Sequence, residues 1–177
     1  MKIVGFAGSN SEKSINKQFV KYTLGQFKNQ ETTLLDLNDF EIPMFSVDKE
    51  ESDGYPDKVK EFVEIIQSAD GIVLSLAEHN GAYTAVFKNL MDWCSRYELK
   101  FFNEIPMLLL STSPGGYGGG NSMELGLSRL PKFDANIIAN FSLPKFNDNF
   151  DNDNGIQDKE LQLKYQSKLQ EFKQVLK

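Results

Sequence analysis

The feature that most constrains this chain is a repeated alternation between short, almost wholly apolar runs and longer segments whose apolar residues recur at helical spacing. Residues 3–7 form the first apolar run, closed by Gly8, and residues 14–27 then carry Ile15, Phe19, Val20, Leu24 and Phe27 along one helical stripe. An uninterrupted apolar run suits a strand buried on both faces, and a period of about 3.6 suits a helix laid against it. Strand, loop and helix therefore follow one another from the start.

The same alternation continues along the chain. Residues 32–37 read as a second strand, 57–68 as a helix, 71–77 as a strand, 83–96 as a helix and 105–111 as a strand. Residues 123–130 continue as helix, 136–141 as the fifth strand and 158–176 as a charged amphipathic helix. Between them, residues 38–56, with Pro43, Gly54 and Pro56, are expected to be irregular, as are 78–82, the Gly-rich stretch 112–120 and an Asn/Asp-rich loop before the last helix. Strand-helix units of this kind predict one α/β domain over residues 1–177. The expected architecture is a three-layer, flavodoxin-like, doubly wound five-stranded parallel sheet of order 2-1-3-4-5.

The formal net charge of -6, with no cluster of Lys or Arg, argues against a nucleic-acid partner. No stretch approaches the roughly 20 apolar residues of a membrane span, and the first residues lack the long apolar region of a signal peptide. Cys94 is the only cysteine and has no intrachain partner, so a cytoplasmic location is the default expectation. A calcium loop at residues 147–155 fails on spacing. With Gly155 at the sixth position, Phe150 would have to be the first ligand and Leu161 the twelfth.

Open α/β sheets bind ligands beyond the carboxyl ends of their strands, near the point where strand order reverses. That directs attention to the loops after strands 1, 3 and 4. The first holds Ser9, Ser11, Ser14, Ile15 and Asn16, a set of hydroxyls leading into a helix start that could receive a phosphate. Ser14 could equally be a plain helix cap. Neither G-x-G-x-x-G nor G-x-x-x-x-G-K-[ST] is present, which disfavours a dinucleotide fingerprint or an ATPase loop.

The second loop, Ala77, Glu78, His79, Asn80 and Gly81, contains an Asn-Gly turn that could aim backbone donors and acceptors at a planar heterocycle, or could simply join strand to helix. His79 is the only histidine, and no G-x-S-x-G elbow accompanies it, which disfavours a Ser-His-Asp hydrolase and histidine-based metal chemistry. The third loop includes Ser113, Pro114, Gly115 and Gly116. Its glycines permit close approach of backbone to a ligand, with a mobile linker as the alternative. Ligand contact is favoured because all three loops leave the same edge of the sheet.

From Met1 to about Phe141 the chain resembles the NAD(P)H-dependent FMN reductase family, which includes quinone, azo-dye and chromate reductases. The family pattern G-S-x-R-x-x-S-x-N is met by Gly8, Ser9, Ser14 and Asn16, with Ser11 in place of arginine and Lys13 nearby as a partial substitute. P-E-Y-N-G followed by L-K-N-x-x-D-W aligns on Ala77 to Gly81 and then on Lys88, Asn89, Asp92 and Trp93, with Ala77 and His79 replacing Pro and Tyr. S-P-G-x-x-G-G aligns on Ser113, Pro114, Gly115, Gly118 and Gly119.

The resemblance implies FMN, with its phosphate at the first loop and its ring system between the other two. It also implies NADPH or NADH as co-substrate, and a small electron acceptor such as a quinone, azo or nitro compound, free flavin or metal oxyanion. No side chain is assigned a catalytic role, because the flavin carries the chemistry. A homodimer or homotetramer is further implied, and the aromatics of residues 39–55 and 97–102 would suit either an interface or the core. The alternatives are a flavodoxin-type electron carrier, or a ligand-binding module that has lost flavin.

Overall fold

The computed structural model describes residues 1–176. In chain order the elements are β1 (Lys2–Ala7), α1 (Ile15–Leu24), β2 (Glu31–Leu35), α2 (Val47–Asp53), α3 (Asp57–Gln67) and β3 (Gly71–Leu76). There follow β4 (Glu78–His79), β5 (Ala82–Tyr83), α4 (Ala85–Tyr97), β6 (Pro106–Thr112), α5 (Gly120–Arg129) and β7 (Asn136–Leu143). The chain ends with α6 (Phe146–Asn149), β8 (Phe150–Asp151), β9 (Gly155–Ile156) and α7 (Lys159–Val175). The main sheet has five parallel strands in the order β2-β1-β3-β6-β7, which is the expected 2-1-3-4-5 once its strands are counted in sequence.

Successive strand residues point to opposite faces, and here both sets are apolar, so both faces must be covered. Ile3, Val73, Leu108 and Leu110 pack with Phe19, Val20 and Leu24 of α1 and Leu169 and Phe172 of α7. Val4, Phe6, Ile72, Leu74 and Leu109 enter the opposite layer with Val59, Phe62 and Ile66 of α3 and Leu90 and Trp93 of α4. At Gly5 an added Cβ would fall 2.7 Å from Val20 Cγ1, so the missing side chain is what lets α1 lie close on β1. That contact fixes where the α1 N-terminus meets the sheet edge.

Three connections carry more structure than their composition suggests. Within residues 38–56, Ser46 accepts the Lys49 N–H at 3.1 Å, and Asp48 and Glu50 sit in the first turn of α2, favourable at a helix N-terminus. No α2 residue is buried, so the helix leaves no apolar period to read. Residues 78–83 form the β4–β5 hairpin. The Asn/Asp-rich stretch contains α6 and the β8–β9 hairpin, whose turn is held by Asp151 Oδ1 accepting from the N–H groups of Asp153 and Asn154.

Helix α5 starts at Gly120 rather than at residue 123. Of the aromatics that suited either core or interface, Phe40, Phe101 and Phe102 are buried in the core. Among the described residues no helix is long and apolar enough to cross a membrane.

Candidate functional site

The sheet order reverses between β1 and β3, since the chain runs outward from β1 to β2 and returns to pair β3 on the other side of β1. The loops after β1, β3 and β6 meet at this point around a cleft of about 280 Å³. From the first loop it is lined by Ser9, Ser11, Lys13, Ser14, Ile15 and Asn16. Ala77, Glu78 and His79 come from the second loop, and Thr112, Ser113 and Pro114 from the β6 end and third loop. Asn80, Gly81, Gly115 and Gly116 stand outside this lining. The first two form the hairpin turn, and around a Cβ at Gly116 nothing lies within 4 Å.

The first loop is shaped by its own hydroxyls. Ser9 Oγ accepts the Ser11 N–H at 3.2 Å, and Ser14 Oγ caps α1 by accepting the Lys17 N–H at 3.1 Å. Both serines are buried, and each uses an acceptor lone pair in these bonds, which leaves its O–H as a donor. The N–H groups of Ile15 and Asn16, the first two of α1, have no protein acceptor among the described residues. The first turn of α1 carries no acidic residue, so no carboxylate there offsets the positive end of the helix dipole. Lys13 adds the one full positive charge in the cleft lining. The result is a cleft-lining set of donors suited to an anion.

Asn16 does different work. Its Oδ1 accepts from Ser75 Oγ at 2.7 Å and from Thr112 N at 3.1 Å, while Nδ2 donates to Thr112 O at 3.1 Å. One buried amide thus ties the start of α1 to the ends of β3 and β6. Thr84 Oγ1 adds a second tie by donating to Gly8 O at 2.8 Å while it caps α4.

The second loop is a two-residue hairpin with Asn80 at φ 52° and Gly81 at φ 73°, the pair of positive angles that a type I′ turn requires. Glu78 braces the helix that follows the third loop. Its carboxylate accepts from Asn121 Nδ2 and from Ser122 N, each at 3.0 Å, and so caps the N-terminus of α5. Ser122 Oγ lies 3.1 Å from Ala77 O and 3.0 Å from Ala82 O, locking the hairpin to α5. His79 is exposed at the cleft edge.

The third loop is anchored rather than slack. Thr112 Oγ1 donates to Leu143 O, Ser111 Oγ to Gly118 O, and the N–H groups of Lys145 and Phe146 donate to Gly115 O and Ser113 O. The Lys-Asn-x-x-Asp-Trp segment is structural too. Asn89 accepts the Phe45 N–H and donates to Pro43 O, to which Trp93 Nε1 also donates at 2.8 Å, while Lys88 and Asp92 pair on the surface.

Reading from sequence picked out most of the cleft lining but passed over Thr112 and the supports Ser75, Asn121 and Ser122. A polar Ser75 inside an apolar strand, and Asn-Ser directly after a glycine run, are the signals that mark them.

Fold and cleft together define an open α/β protein with an anion-ready helix start and two flanking loops at its switch point. The sequence profile of the NADPH-dependent FMN reductases matches residues 1–148, so the chain belongs to that family and is an oxidoreductase that uses FMN and a reduced nicotinamide. An NADPH azoreductase from Bacillus sp. (strain OY1-2) is 31% identical over 138 residues, 78% of this chain and 73% of the relative. A quinone reductase from Escherichia coli (strain K12) is 33% identical over 79 residues, 45% of this chain and 42% of its own length. The solved structure of FerB, a flavoenzyme NAD(P)H:(acceptor) oxidoreductase from Paracoccus denitrificans, shares the fold. It aligns with a TM-score of 0.72 at 20% identity, over 98% of this chain and 97% of its own.

Proposed function

We propose that the three-loop cleft is the FMN site, with the phosphate at Ser9, Ser11, Ser14, Ile15 and Asn16. The ring system would lie between Ala77 to Gly81 on one side and Ser113 to Gly116 on the other. The observation that carries this reading is the unpartnered N–H pair of Ile15 and Asn16, set beside two buried hydroxyls in the cleft lining. A group with a phosphate at one end and a flat heteroatom-bearing ring at the other fits such a set of donors.

Bound there, FMN supplies the two-electron chemistry that links a reduced nicotinamide to a small acceptor. The protein's part is to bind and orient. Ser9 and Ser14 keep their O–H groups free to donate outward, and Lys13 supplies the countercharge that an arginine at position 11 would otherwise provide. Asn16 holds the loops after β1 and β6 at a fixed separation. The Glu78–Ser122 lock fixes the hairpin beside the ring, so that ordering cost is met before the ligand arrives. No acid or base is required of the chain.

We further read residues 1–177 as one working unit, cytoplasmic and without a nucleic-acid partner, that assembles as a homodimer or homotetramer. Support for assembly comes from Met44, Val47, Tyr97 and Leu99, all exposed; α2 lies against the end of α4 through the Arg96–Glu50 ion pair and the Tyr55–Tyr97 ring contact. Sedimentation of the purified chain tests this.

The test of function is an anaerobic absorbance spectrum of the FMN-supplemented protein before and after one equivalent of NADPH, repeated with NADH. Loss of the flavin band is expected. Bound flavin that stays oxidised would mark an electron carrier, and absence of bound flavin would overturn the site.

A further inference from the structure

A second depression lies between α4 and α5, beside the β4–β5 hairpin. It measures about 480 Å³, and Met91, Leu125, Leu130 and Phe133 give it an apolar lining. His79 lines the cleft and its cross-strand partner Ala82 lines this groove, so both hollows border the same hairpin. We propose that this groove is a binding site for a small aromatic anion, its ring body seated on the apolar floor and its carboxylate or sulfonate held by Arg129 and Lys132.

Charge complementarity selects the class. The chain has more acidic than basic residues, 25 against 19, yet Arg129 and Lys132 line the groove with no acidic partner among the described residues. Lys88, at the same groove, is already spent on Asp92 at 2.6 Å. A neutral apolar ligand would leave both cations unused, and inorganic phosphate would leave the apolar floor bare.

Tyr83 adds an independent observation. It lines the groove, and its hydroxyl is shut from solvent with no hydrogen-bond partner, the one such side-chain atom among the described residues. Buried polar groups are almost always paired, so an orphaned donor here marks a place built for a partner. Burial pushes the phenol up to about 12 against the opposing charge of Arg129, so near neutral pH it keeps its proton, and a ligand must open the contact around it to take that hydrogen bond. The proposal is independent of what occupies the cleft.

Isothermal calorimetry on the full, FMN-loaded chain tests it with 2-naphthoate and its uncharged counterpart 2-naphthamide as probes. The expected result is a preference of at least about tenfold for naphthoate, the size of one good charge-assisted contact. That preference disappears in Arg129→Gln/Lys132→Gln, and the visible spectrum of the same samples reports whether the flavin site is intact. Tyr83→Phe should weaken naphthoate binding while leaving the free protein at least as stable, a pattern that a purely structural tyrosine would not give. Equal affinity for the two probes would overturn the proposal, as would displacement of FMN by naphthoate. So would a dimer that Leu125→Glu dissociates and that binds no naphthoate, because a second copy would then fill the groove.

Discussion

Asn16 offers the most direct way to take the cleft apart while leaving its lining chemistry in place. The residue is 3% exposed, and its amide makes three hydrogen bonds, one with Ser75 Oγ and two with the backbone of Thr112. Leucine has a similar volume and makes none of them. Asn16→Leu therefore leaves an N–H, a C=O and an O–H unpaired where water has little access. Each orphan costs about 1–3 kcal/mol, and Thr112, at the end of its strand, can turn partly toward solvent, which places the total near the low end at about 3 kcal/mol. For a chain of this size that is roughly 6–12 °C in Tm.

Ser75→Ala removes one donor and leaves Asn16 Oδ1 its second partner, so about 1 kcal/mol is expected. The two substitutions share a bond, and the double mutant should fall short of their sum by about 1 kcal/mol. Urea unfolding followed by circular dichroism, without flavin, reads stability apart from ligand binding. FMN titration of the same proteins should show a greater loss for Asn16→Leu than for Ser75→Ala, because only the former frees the third loop. A loss below about 1 kcal/mol for Asn16→Leu, or strict additivity with Ser75→Ala, would refute the idea that this amide is the joint between the loops.

Other perturbations separate the remaining elements. Ser9→Ala with Ser14→Ala removes two outward donors worth about 1.5–3 kcal/mol each toward a charged phosphate, so FMN affinity by fluorescence quenching should drop by at least tenfold; unchanged affinity would remove the phosphate from the first loop. Gly81→Ala meets no atom closer than 3.8 Å, so its cost is backbone alone, about 1–2 kcal/mol for a side chain at φ 73°, and an unaltered Tm would contradict the I′ turn. Burial alone would raise the Asp36 carboxyl, but hydrogen bonds from Lys17 and Asn38 and the Lys17 charge bring it below its ordinary value. A depressed carboxyl stabilises above its unfolded value of about 3.9 and loses that contribution as pH falls through the folded one. The Tm gap between wild type and Lys17→Met should therefore close on acidification below about pH 4, and a gap independent of pH would rule out the ion pair as its source.

What could be read from the chain follows from what leaves a local trace. The five strands declared themselves because burial on both faces demands unbroken apolar runs, and the switch point then fixed which loops converge. Helix α2 left no trace because it buries nothing, and β4 and β5 are two residues each, too short for any periodicity. Anchoring of the third loop depends on the main chain at Lys145 and Phe146, about 30 residues away, with Lys145 held at φ 46°. Non-local backbone bonds of that sort have no sequence signature. The aromatic run at Phe101 and Phe102 was ambiguous for a related reason, since composition alone does not distinguish an interface from a core.

The polar residues of the three loops divide into those that build and those that remain open, and the division explains how this chain accommodates its departures from the family pattern. Asn16, Glu78, Asn89 and Trp93 all belong to the family motifs, yet each spends its side-chain hydrogen bonds on neighbouring parts of the fold. What stays open in the cleft is mostly main-chain N–H, two serine hydroxyls and Lys13. Main-chain donors do not depend on residue type. Serine at position 11 removes a bidentate cation but none of the helix-start donors, and with no acidic side chain in the first turn of α1, little competes for the positive end of its dipole. On the proposed placement of FMN, His79 in place of tyrosine changes a surface that would flank the ring, while the hairpin behind it is held by Glu78, Ser122 and Gly81, none of which the replacement touches. Affinity for a phosphate-bearing ring should therefore respond more steeply to loss of Asn16 or Ser122, which set the geometry, than to restoring arginine at position 11, which adds charge to a site already formed.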